Sequence, residues 1–166
     1  MLRLLASVVS VSLGFAVLGY AAILWGARDP SIVELSAANG ATDPALLEIL
    51  RGDAAAAASQ WWLLVIAAVA VCGALWLLLA LNRRPQTPAQ ARSGGTAWWG
   101  LLLLAILAGF GLGYVVYIND VVALSWRQAL IVTGLLCVPL AYWLMTALGV
   151  RNEMAPSVPF ATSLRR

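Results

Sequence analysis

The chain has 166 residues, 63% of them hydrophobic and 10% charged, with no histidine and a formal net charge of +3. That balance excludes an ordinary soluble domain, and so small a charge, scattered over several segments, excludes a nucleic-acid-binding face. Without histidine there is no imidazole ligand for haem, chlorophyll or a usual transition-metal site, and no cofactor is expected.

All ten basic residues are arginine, which together with abundant alanine points to a GC-rich bacterial genome. Four apolar runs dominate the chain, at about 4–26, 61–81, 98–118 and 128–150. A helix needs about 20 apolar residues to cross a hydrocarbon core of roughly 30 Å, and each run qualifies. The expected fold class is therefore an all-α integral membrane protein. Its architecture is an antiparallel four-transmembrane-helix bundle with short external helices, one membrane domain over 1–166.

The first run follows a short basic start and has the look of a secretory signal. Its apolar part is too long, and cleavage after Ala27 or Ala22 would put Trp25 or Tyr20 at the −3 position; only a break after Ala21, with Gly19 at −3, is marginally acceptable. It reads as a retained first span. Ala6, Ser10 and Gly14 fall at four-residue spacing on one face, a stripe that suits close helix packing.

The connection 27–60 carries five acids and two arginines, a net −3 that suits the external side. Asp29-Pro30 leads to Glu34, and Asp43-Pro44 leads to Glu48 in the same arrangement. Aspartate caps free backbone N–H groups, and proline at the first helical position has none to leave unsatisfied. With Asn39-Gly40 and Gly52 as stops, two short helices are expected over the outer end. Asp29, Pro30, Glu34, Asp43, Pro44 and Glu48 are the candidate partner-docking residues, although shared capping chemistry explains the repeat more simply. Arg51-Gly52-Asp53 resembles an integrin signal by letters alone.

Span 61–81 contains Cys72 near its middle and a weaker small-residue pair, Ala70 and Ala74. The linker 82–97, with two prolines and two glycines, reads as a flexible cytoplasmic connection. Span 98–118 holds the strongest packing signal: Ala105, Gly109 and Gly113 lie on one face and let another backbone approach. Packing within the chain is the favoured use, a subunit interface the other. The short connection to 128–150 predicts that the third and fourth spans pair tightly.

In the fourth span Pro139 predicts a kink, and Cys137 lies at a depth similar to Cys72. Both cysteines read as small apolar packers. Thr133 and Thr146 can bond their own helix backbone. The tail 151–166, with Pro156, Pro159 and Arg165-Arg166, is expected to be extended and to touch anionic lipid.

Arginine placement sets the orientation through the positive-inside rule. Arg3, Arg83, Arg84, Arg92, Arg151, Arg165 and Arg166 fall on one side; Arg28, Arg51 and Arg127 fall on the other. Both termini are therefore expected in the cytoplasm, in a bacterial inner membrane. Trp25, Trp61, Trp62, Trp98, Trp99 and Trp126 lie at span ends, where an indole can anchor at the headgroup level.

No acid or base lies central in a span, where a charge costs about 2.5–3.5 kcal/mol and would signal function. No nucleophile–base set or phosphate loop is present either. The chain is thus expected to be non-enzymatic: a subunit or assembly factor of a larger inner-membrane complex for secretion, conjugation, envelope upkeep or respiration. Its expected partners are the lipid bilayer and other membrane-protein subunits, and a homo-oligomer is compatible with the glycine stripes. A homo-oligomeric channel packed through Gly109 and Gly113 is one alternative. An immunity protein meeting a membrane-acting toxin through its acidic outer loop is another.

Overall fold

The structure is a computed structural model that describes residues 2–26, 43–82, 95–118, 124–150 and 158–159. Asp29, Pro30 and Glu34 lie outside the described residues, as do Arg28, Arg83, Arg84, Arg92, Arg151, Arg165 and Arg166. Apart from single residues at helix ends and a turn at Val158-Pro159, everything described is helical.

Four helices form, each long and apolar enough to cross a membrane. They are α1 (Leu2–Gly26), α2 (Pro44–Asn82), α3 (Gly95–Tyr117) and α4 (Leu124–Gly149). Outside the arm that opens α2, each is apolar around its whole circumference rather than along one stripe, so no single face is marked for a core. Large apolar side chains such as Leu63, Leu78, Leu103, Leu107, Phe110 and Leu136 remain exposed.

The start of α2 follows from its capping residues. Asp43 Oδ1 accepts a hydrogen bond from the Ala45 N–H at 3.0 Å, and the Asp43 carbonyl accepts one from Leu47 at 3.0 Å. The stop expected at Gly52 does not occur. A glycine inside a helix costs about 1 kcal/mol relative to alanine, and the five alanines that follow it, Ala54 to Ala58, are the strongest helix formers. The short external helix expected after Asp43 is instead the beginning of a 39-residue helix. That helix is about 58 Å long at 1.5 Å per residue.

Helices α2 and α4 each contact every other helix, while α1 and α3 occupy the flanks. The α3–α4 contact is the most extensive, as the short connection between them requires. The core runs the length of the assembly through Leu4, Val65, Val69, Trp76, Ala105 and Met145. α4 continues unbroken through Pro139. Val158 is buried and joins the core, so this part of the tail is not laid out on the surface as its composition led one to expect.

Candidate functional site

Backbone meets backbone between α3 and α4. A methyl group added at Gly109 would stand 2.6 Å from the Leu135 carbonyl oxygen. One added at Gly134 would stand 3.1 Å from the Gly113 backbone nitrogen and 3.1 Å from the Trp61 ring. Ala105, one turn before Gly109, is fully buried. The surface that Ala105, Gly109 and Gly113 would offer to another subunit is thus taken up inside the chain.

Trp61 seals this contact from α2, its Nε1 donating to the Leu112 carbonyl at 3.2 Å. Trp61 and Trp62 are both buried, with ring centroids 5.8 Å apart, and Trp98 is buried completely. These three are expected from sequence to anchor the chain at the headgroup level; in the fold all three are buried among the helices. Their indoles fill space between helices, Trp62 against Gly19 of α1 and Trp61 against Gly134 of α4. Trp25 and Trp99 do remain exposed, and the Trp126 side chain lies outside the described residues.

A second polar cluster, not anticipated from sequence, joins α2, α3 and α4. Trp76 Nε1 donates to Thr146 Oγ1 at 3.2 Å, and that hydroxyl donates to the Tyr142 carbonyl at 2.8 Å. The Tyr142 hydroxyl donates to the Trp98 carbonyl at 3.4 Å. The Trp76 and Trp98 rings meet edge to face at 5.8 Å. The four-residue spacing of Tyr142 and Thr146 on α4 was its one visible signal. The indole N–H groups of Trp62 and Trp98 are buried and find no hydrogen-bond partner among the described residues.

The stripe on α1 behaves differently from that on α3. Ala6 and Ser10 are exposed, and a methyl group at Gly14 would meet nothing within 4 Å. Among the described residues, nothing packs closely against this stripe, whose spacing reads chiefly as a surface for packing within the chain. Ser10 and Gly14 instead line a groove of about 510 Å³ between α1 and α4, with Trp62 of α2 reaching it. Thr133 and Cys137 also line it, and the Thr133 hydroxyl donates to the Ala129 carbonyl at 2.7 Å. With no carboxylate or basic group among the described residues that line its walls, the groove is suited to holding apolar matter.

The remaining candidate is the N-terminal arm of α2, the seventeen residues 44–60 that precede the apolar span 61–81. Asp43, Pro44 and Glu48 are exposed there, and so are the large apolar Leu46, Ile49 and Leu50. The spacing of Leu46, Ile49 and Leu50 places them on one helical face. Among the described residues, no three histidine, cysteine, aspartate or glutamate side chains come together as a metal site would need. No protein-family model, curated protein or solved structure matches this chain.

Proposed function

We propose that this chain is a multi-pass integral membrane protein of a bacterial inner membrane that serves as a non-catalytic subunit or assembly factor of a larger membrane complex. Its four spans form an antiparallel bundle with both termini cytoplasmic. Support for the membrane reading comes from apolar side chains exposed all around the helices, a surface far beyond the apolar patches that water tolerates. Contact order supports the antiparallel arrangement. Along α1, Arg3 meets Leu148 of α4 and Gly19 meets Trp62 of α2; along α3, Trp98 meets Trp76 and Leu112 meets Trp61.

One observation carries the subunit reading: the arm of α2 projects past its apolar span and exposes Leu46, Ile49 and Leu50 beside Glu48. Seventeen residues extend about 25 Å, nearly the thickness of the hydrocarbon core itself. A helical apolar face outside the spanning segment is what helix-in-groove recognition uses. Polar flanks on the same arm make the contact selective rather than merely sticky.

The test replaces Leu46, Ile49 and Leu50 together by glutamine and compares affinity-purified complexes by mass spectrometry. A partner copurifying with the native chain should be lost, while membrane insertion and unfolding temperature stay unchanged. Recovery of the native chain alone, with nothing trapped by crosslinking in cells, sinks the reading.

A further inference from the structure

The groove between α1 and α4 stands apart from the docking arm and has a charge at one end. Leu148 lines that end, and its carbonyl accepts a hydrogen bond from Arg3 Nε at 3.1 Å. We propose that the groove binds an acyl chain of an anionic phospholipid whose phosphate is held by Arg3. This rests on the membrane reading above.

Three observations select that occupant. From Thr133 to Leu148 the groove follows sixteen residues of α4, about 22 Å from the first to the last. That exceeds the roughly 15 Å half-thickness of the hydrocarbon core, so one acyl chain fits lengthwise. Spread along that length, 510 Å³ gives a mean cross-section of about 23 Å². A single hydrocarbon chain matches that section, whereas a helix 10 Å across has a section of about 80 Å² and would lie mostly outside the groove.

Charge supplies the third observation. The bond to Leu148 uses one of the five donors on the Arg3 guanidinium and fixes the group at the groove mouth. Phosphate is the bidentate acceptor that the guanidinium geometry suits best. A basic group at the cytoplasmic end of an apolar interhelical cleft is the arrangement that holds anionic headgroups.

The experiment is native mass spectrometry of the full chain extracted in mild detergent and offered equal phosphatidylglycerol and phosphatidylcholine. The native chain should retain one phospholipid, favouring phosphatidylglycerol roughly fivefold, the discrimination one arginine supplies near a membrane surface. Arg3→Gln should abolish the preference and leave retention intact. Gly14→Phe and, separately, Leu140→Trp should fill the groove and release the lipid with the unfolding temperature unchanged. Gly14 has the open space for it, and Leu140 is half exposed at the rim.

No retained lipid in the native chain, or full retention in whichever filled variant folds, overturns the proposal. A photoreactive group at Leu18 that captures protein rather than lipid overturns it in favour of a partner helix. Failure of the membrane reading is distinguishable, since the chain would then leave the membrane fraction without detergent.

Discussion

Pro139 and Gly109 act on the same carbonyl group. Proline lacks the N–H that would bond to Leu135, four residues earlier in α4, and it is the Leu135 carbonyl that lies against Gly109 of α3. A glycine facing that oxygen can bring its Cα–H groups close, and such contacts are worth about 0.5–1 kcal/mol. The missing side chain in one helix and the missing donor in the other thus meet at one point.

Gly109→Ala should therefore destabilise the protein by about 1–3 kcal/mol, because the methyl group meets backbone that cannot rotate away. Gly14→Ala should be neutral or stabilising by up to about 1 kcal/mol, since alanine is the better helix former and the space is open. Reversible unfolding in mild detergent measures both. Equal effects at the two positions would contradict the described packing.

The Trp76–Thr146 bond should appear as an energetic coupling between α2 and α4. In a double-mutant cycle with Trp76→Phe and Thr146→Val, the coupling should be about 0.6 kcal/mol and at most about 1.7 kcal/mol, the range for hydrogen bonds between membrane helices. Thr146→Val alone should cost about 1–3 kcal/mol, because the indole N–H is left buried without an acceptor. Strict additivity of the two substitutions would mean that the bond contributes nothing.

Cys72 and Cys137 are free and buried. In the folded protein both should resist maleimide, and Cys72 should be the slower because only Cys137 lines the groove. Sodium dodecyl sulfate should expose both to rapid labelling. Prompt reaction of Cys72 in mild detergent would place it outside the core and refute the helix packing around it.

Much of the helix plan was legible from residue order. Apolar runs of spanning length mark α1, α3 and α4 within a few residues, and the Asp43-Pro44 cap marks the first residue of α2. Gly52 misled because a lone glycine weighs less than the five alanines beyond it, so the expected external helix and the second span are one. The α1–α4 groove had no signature, since its walls come from helices more than a hundred residues apart.

What residue order determined is length and composition: enough consecutive apolar groups make a helix long and apolar enough to cross a hydrocarbon core, whatever it packs against. Which face of such a helix meets another was decided only in three dimensions. Helices that are apolar on most sides have no polar face to exclude from the core, so shape and a few hydrogen bonds between helices select among the faces. That selection turned Trp61, Trp62 and Trp98 inward and seated Gly109 and Gly113 on α4. It left Ala6, Ser10 and Gly14 uncovered.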